Sequence, residues 1–349
     1  MRVIQVGLGA WGASWLGMVG QSADWELVGV VDVDQAAAQK AADQHGVRAY
    51  RDIEHALEDR EAFDAVLVIV PPEYHAAVAV PVLRAGIPAL IEKPLAGNLA
   101  DALAIIEAAD ESGAVAMVSQ NYRFKRAPRT VQRLIEQGVI GDVQQVFINY
   151  QKNPPFEGFR LTMDEPLIVD AMIHHIDQIR GITGVEATSV RANSWNPSWS
   201  RFAGNASAVV QIEGAGGVKV VYTGSWASQG EHTSWDGDWD IQGSKGSISW
   251  SNNTVQVRFE SLFDTVFLAG ATEHSGVMHV DLDVLEVEER LGTLAAFHHA
   301  VATGERPETD VRDNILSLQL VMATAESAKS GGETVRLSSA AELLTPSAL

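Results

Sequence analysis

Gly7-Leu8-Gly9-Ala10-Trp11-Gly12 is the stretch that decides the fold. It follows an apolar run over residues 2–6 and opens a helix-patterned segment. Asp32 stands 20 residues past its third glycine, beyond a second apolar run over 27–31. Strand, glycine turn, helix, second strand and terminal acid form the arrangement that binds dinucleotides. Gly7 permits the tight turn, and Gly9 lets the backbone approach a pyrophosphate seated at the helix N-terminus. Gly12 lets helix pack on strand. Ala10 and Trp11 lie between these glycines, on the same cofactor-side turn. Asp32 is expected to accept hydrogen bonds from the adenosine ribose hydroxyls. A carboxylate there repels a 2′-phosphate, and Val33 and Asp34 offer no arginine to receive one, so NAD is favoured over NADP.

Working outward, apolar runs at 2–6, 27–31, 65–70, 89–91 and 115–118 read as buried strands. Helix-period segments such as 34–44 and 72–84 lie between them. This alternation predicts a parallel sheet with helices on both faces, an α/β Rossmann domain over 1–120. After about residue 140 the rhythm changes. Runs at 143–150, 188–194, 206–212, 218–225, 239–241, 247–250 and 254–260 read as strands with few helices between them. One helix over 167–181 interrupts the run, and two more, over 285–303 and 310–330, close it. That pattern predicts an α+β domain over 121–349 with a large open, mainly antiparallel sheet, its C-terminal helices packing back near the first domain. An open sheet, apolar on one face, predicts a homodimer or homotetramer.

The 349 residues suit two domains. Twenty-five basic and 45 acidic side chains give a formal charge of −20, which disfavours nucleic acid and anionic membranes as partners. The absence of cysteine excludes disulfides, zinc–thiolate sites and thiol nucleophiles. The N-terminal segment lacks a basic region followed by an apolar signal core, and no apolar stretch is long enough to span a bilayer, so the expected location is the cytoplasm.

Ile91-Glu92-Lys93-Pro94-Leu95 closes the strand at 89–91. Glu92 and Lys93 stand at the carboxyl end of a parallel strand, facing the crevice where ligands bind in such sheets. With the glycine loop, this segment resembles the glucose–fructose oxidoreductase/inositol dehydrogenase (Gfo/Idh/MocA) family. The resemblance continues in Pro71-Pro72-Glu73-Tyr74-His75, in Asn121-Tyr122-Arg123-Phe124 and in Asp170-Ala171-Met172-Ile173-His174-His175-Ile176-Asp177. It reaches the tail at Thr303-Gly304 and at 332–337. It implies hydride transfer between nicotinamide and a secondary alcohol or its ketone, with sugars and polyols as the commonest small-molecule substrates. It also implies that Lys93 lies by the substrate hydroxyl, that the bond before Pro94 is cis, and that Asp170 and His174 complete the catalytic group.

Removing hydride from an alcohol leaves a proton and a developing alkoxide for the protein to manage. His174 has the unperturbed pKa to take that proton near neutrality. Asp170, four residues earlier, shares its helix face and either orients the imidazole or stabilises its charged form. Lys93 either stabilises the alkoxide or itself carries the proton. Asp177 shares that face at i+7 as a supporting residue or substrate ligand. His175, turned about 100° away, is structural. Tyr122 and Arg123 lie where substrate could reach, Arg123 either binding a polar substituent or pairing with an acid. His75 either approaches the nicotinamide or ribose or caps the following helix, and Pro71 shapes the wall beside the nicotinamide. No metal is expected, because adjacent histidines diverge on a helix and the cluster matches no zinc pattern.

Of the tryptophans Trp195, Trp199, Trp226, Trp235, Trp239 and Trp250, most are expected in sheet packing. The loops around Trp195, Trp199 and Trp235 are the better candidates for a sugar-facing wall. The turn Met163-Asp164-Glu165-Pro166, and Met172, replace the glycines usual in the resembled family, which implies a reshaped substrate pocket. Two other readings stand beside the dehydrogenase: a glycosidase that retains its NAD, and a non-catalytic ligand sensor.

Overall fold

The computed structural model describes residues 1–259, 271–274 and 276–345, and the chain divides into two compact units. The first is built from Met1–Phe124 and Val287–Leu318, the second from Lys125–Glu286 and Gln319–Leu343. The expected continuous stretch 121–349 is therefore interrupted, with 287–318 returning to the first unit.

The first unit carries β1 (Arg2–Val6), β2 (Glu26–Val31), β3 (Arg48–Tyr50), β4 (Ala65–Val68), β5 (Ala89–Glu92) and β6 (Ala116–Ser119). They form one sheet in the order β3-β2-β1-β4-β5-β6, every pair parallel. All residues of β4, β5 and β6 are buried, as strands covered on both faces must be, so their apolar runs show no alternation. The order reverses at β1, which places the glycine turn after β1 at the topological switch point. Helices α1 (Ala10–Val19), α2 (Gln35–His45), α3 (Ile53–Leu57), α4 (His75–Arg84) and α5 (Leu99–Ser112) connect the strands. Asp34 caps α2 by accepting from the Ala36 and Ala37 amides, and Asn98 caps α5 from Asp101. β3 was not legible: three residues, of which only Tyr50 is buried, carry no periodic signal.

The second unit opens with α6 (Arg126–Glu136) and β7 (Val143–Gln151). A helix with an irregular first turn, α7 (Met172–Thr183), follows. Then come β8 (Ala187–Trp195), β9 (Ser207–Gly214), β10 (Lys219–Ser225), β11 (Asp238–Gly243), β12 (Gly246–Ser251), β13 (Thr254–Phe259), β14 (Ala271–His274) and β15 (Val277–Val280). After α8 (Glu289–Thr303) and α9 (Val311–Lys329), β16 (Val335–Arg336) completes a ten-stranded sheet. Its order is β14-β15-β13-β12-β11-β7-β10-β9-β8-β16, antiparallel except between β7 and β10. Burial alternates along β7 and β10, so one face is covered and the other open. β14, β15 and β16 are too short to stand out in sequence, and residue 260, the expected end of β13, lies outside the described residues.

α8 belongs to the first unit because its apolar face docks there. Phe297 stacks on Trp25 with ring centroids 5.3 Å apart, and the Trp25 indole donates to the Leu294 carbonyl. In the second unit, Ile173, Ile176 and Ile179 of α7 join Val146, Ile148, Val210, Ile212, Tyr222 and Trp250 in one core.

Within that core His175 is 1% exposed. Its Nε2 lies 2.9 Å from the Trp235 carbonyl, which can only accept, so Nε2 carries the proton. Nδ1 then accepts from the Tyr222 hydroxyl at 3.2 Å. Burial drives the imidazole pKa from 6.5 down to about 4. The unfolded chain takes up this proton first, so stability is full above pH 6.5 and is lost as pH falls toward 4. Between pH 7 and 4.5 the loss from this one group is about 2–3 kcal/mol. Urea midpoints at the two pH values should show the wild type losing that much more stability than His175→Gln; equal losses contradict the assignment.

Candidate functional site

In the first unit the glycine loop is held from beneath. Gln5, fully buried in the middle of β1, donates through Nε2 to the carbonyls of Gly7 and Gly12 at 2.9 and 2.8 Å. Gly7 has φ +98°, and a Cβ there would meet the Ile69 carbonyl oxygen at 2.2 Å. A Cβ on Gly12 would meet the Gly7 carbonyl at the same distance. Both glycines are thus required by the fold itself. Gly9 is different: a Cβ there meets nothing within 4 Å. It precedes the first turn of α1, which has no side-chain cap, and Gly9, Ala10 and Trp11 are all exposed. Open space in front of free helix-terminal amides suits a pyrophosphate.

Asp32 sits half-buried at the end of β2. One carboxylate oxygen accepts from the Leu8 amide at 2.7 Å and the other from the Asp34 amide at 2.8 Å. Each oxygen keeps a further lone pair for a ribose hydroxyl. Val33 beside it is 96% exposed.

Glu92, at the end of β5, is 5% exposed. Its Oε1 accepts from the indole N–H groups of Trp11 and Trp15, both at 2.8 Å, and its Oε2 from the Lys93 amide at 2.8 Å. Glu92 therefore positions its neighbours rather than presenting its carboxylate outward. Arg290 of α8 lies over the Trp11 ring, 4.7 Å from its centroid, and donates to the Ser14 hydroxyl. Lys93 is half-buried, and the Lys93–Pro94 peptide bond is cis.

His75 is fully buried, with Nε2 2.9 Å from the Val70 carbonyl and Nδ1 3.1 Å from that of Leu95. Burial lowers its pKa. It braces the backbone from inside, which removes it from the residues expected against the cofactor. Pro71 beside it is exposed. Arg123 is turned to backbone and acid. It is 9% exposed, donates to the Glu308 carbonyl at 3.3 Å and pairs with Asp313 at 3.4 Å. Of the two alternatives read for Arg123, the acidic partner is the one found. Tyr122 is half-buried in the turn Asn121–Phe124.

In the second unit, a π-helical turn over Leu167–Ala171 runs into α7. From residue 165 to 180 every side chain is buried except Val169, Asp170 and His174. Asp170 and His174 thus share the one face that the core leaves partly open. Asp177 is 1% exposed and lies in the interior, so it is not placed to bind substrate. Arg160, from the turn Gly158–Thr162, donates its Nε to Asp170 at 2.5 Å. Nearby, the buried Asp236 carboxylate holds the Lys125 ammonium and accepts from the Gln178 amide at 3.1 Å.

Sequence reading missed Gln5, Trp15, Arg160 and Arg290. Gln5 was visible as a lone polar residue inside an apolar strand. Trp15 and Arg290 act through partners distant in sequence, for which one chain gives no signal, and Arg160 reaches Asp170 from an irregular turn that carries no periodic pattern.

A family model described as an oxidoreductase family with an NAD-binding Rossmann fold (GFO_IDH_MocA) matches residues 1–120. A second, the GFO/IDH/MocA C-terminal domain, matches residues 128–249. Inositol 2-dehydrogenase of Corynebacterium glutamicum is 32% identical over 194 residues, 54% of this chain and 56% of that protein. D-apiose dehydrogenase of Paraburkholderia graminis is 27% identical over 328 residues, 90% of this chain and 84% of that one. The fold is shared with an Agrobacterium radiobacter oxidoreductase solved in complex with NAD+, L-tartaric acid and magnesium. The two superpose with a TM-score of 0.83 at 21% identity, over 96% of this chain and 98% of that one.

The two glycines at the loop separate folding from binding. Gly9→Ala should leave the thermal midpoint unchanged and weaken NAD, measured by calorimetry, about tenfold or more, a loss of roughly 1.4 kcal/mol. Gly7→Ala should cost at least about 2 kcal/mol of stability through its left-handed backbone and the clash with Ile69. Unchanged NAD affinity in Gly9→Ala would remove the pyrophosphate from this loop.

Proposed function

We propose, from the premise that the chain belongs to the Gfo/Idh/MocA oxidoreductase family, that it transfers hydride between NAD and a secondary hydroxyl or ketone of a sugar or polyol. NAD, when bound, supplies the hydride acceptor, and the chain supplies binding, orientation and proton handling. Gly7, Gly9 and Gly12 with the first turn of α1 would hold the pyrophosphate, and Asp32 the adenosine ribose. The relatives that carry names, an inositol and an apiose dehydrogenase, support the substrate class.

The observation that carries the chemistry is the open face shared by Asp170 and His174 on an otherwise buried helix. An imidazole held there can take the hydroxyl proton as hydride leaves carbon. Asp170, on the same face, would either orient that imidazole or stabilise its charged form. Lys93, at the end of β5, would supply a positive charge or a proton that lowers the free energy of an alkoxide. Arg160, bonded to Asp170, fixes the orientation of the acid.

The test is NADH formation, followed by absorbance, across inositols, aldoses and anhydrosugars. The wild type should reduce NAD with at least one of them. Lys93→Ala and His174→Ala should each lower kcat/KM by about 10²–10⁴-fold, with NAD affinity of His174→Ala unchanged. Turnover surviving intact in either variant contradicts the assignment.

The chain is further proposed to act in the cytoplasm as a homodimer or homotetramer. Among the described residues no helix is long and apolar enough to cross a membrane. The open face of the ten-stranded sheet exposes Phe147 beside Val221 and Thr223, a surface suited to a second copy. Light scattering should give a multiple of 37.5 kDa; that mass alone contradicts the assembly.

A further inference from the structure

Two cations in the second unit stand out in a chain carrying 45 acidic and 25 basic side chains. Lys152 follows β7 directly. Its ammonium lies 5.3 Å from the centroid of the Trp235 ring, and among the described residues it has no carboxylate or hydrogen-bond partner. Burial lowers its pKa, so the charge is partly desolvated without a compensating anion. Arg160 gives only its Nε to Asp170. Among the described residues, its two terminal amino groups have no partner. The guanidinium is clamped between the rings of Phe156 and Phe159, at 4.9 and 4.8 Å.

These two cations lie along one strip. Trp235 contacts Phe156 with centroids 6.4 Å apart, and Phe156 contacts Arg160, which reaches Asp170. Phe159 and Trp235 are 65% and 42% exposed. A surface that pairs exposed aromatic faces with unspent cationic donors fits a sugar bearing an oxyanion. The rings cover the apolar face of the sugar, and a planar guanidinium with two free amino groups matches carboxylate or phosphate geometry.

We infer that the strip Lys152–Trp235–Phe156–Arg160 is a specificity subsite for an oxyanion-bearing sugar or polyol, gripped by the terminal amino groups of Arg160 and by the Lys152 ammonium. The inference rests on the oxidoreductase reading for its substrate, but the anion site itself can be read without turnover. Lys152 is the residue to vary, because Arg160 also touches Asp170.

The experiment compares D-glucose, D-gluconate, D-glucuronate and D-glucose 6-phosphate in the wild type and in Lys152→Gln, by calorimetric binding to NAD-loaded protein and by NADH formation. An acidic ligand should bind the wild type at least about tenfold more tightly than glucose. Lys152→Gln should weaken that ligand about ten- to a hundredfold, in keeping with a lost charged hydrogen bond, and leave glucose unchanged. The carboxylate and phosphate arms identify which oxyanion is taken. Lys152-dependent binding of an acid without NADH formation upholds the subsite and counts against the reaction reading. Equal or better binding of glucose, or an acid preference that survives Lys152→Gln, overturns the subsite.

Discussion

The carboxylate of Glu92 joins two parts of the first unit, the helix that starts at the glycine loop and the end of β5. Burying a carboxylate without compensation is costly, and here three N–H donors offset that cost: the Trp11 and Trp15 indoles and the Lys93 amide. The two indoles come from α1, which starts at the glycine loop, and the amide comes from the end of β5. One side chain therefore ties the loop to Lys93, so the two cannot drift apart. Gln5 locks the loop from below by a similar device, its amide spanning the Gly7 and Gly12 carbonyls.

The second unit solves a different problem. Its wide sheet must be covered on one face, and α7 with the turn before it is given over to that task, the sixteen positions from 165 to 180 burying all but three side chains. A polar side chain stays reachable only where the core leaves a gap, and Asp170 and His174 are half-buried there. His175, one position on, meets the core instead and is kept neutral by it, bonded to Trp235 and Tyr222. His174, one position back, is only half-buried, so the helical turn alone gives neighbouring histidines different surroundings.

Much of this was legible in one chain. The parallel sheet showed in unbroken apolar runs such as 65–68, because strands buried on both faces have no polar side to present. The glycine turn between β1 and α1, and Asp32 after β2, were legible because they depend on local backbone geometry at fixed spacing. What escaped was long-range. The sequence leaves Arg123 open to a substrate or to an acid, and the acid that holds it, Asp313, stands 190 residues away. Asp177 shares a face with Asp170 by count, but two turns on the core closes over it. The return of 287–318 to the first unit depends on Phe297 meeting Trp25, a contact that no local pattern announces.

The first unit has the fold of an NAD-binding domain, and Asp32 is proposed to set the choice of cofactor. Calorimetric titration of the wild-type protein with NAD and with NADP tests it most directly. The account predicts saturable NAD binding and NADP weaker by at least about tenfold, the cost of bringing a 2′-phosphate against a carboxylate. NADP binding as tightly as NAD, or more tightly, would contradict it.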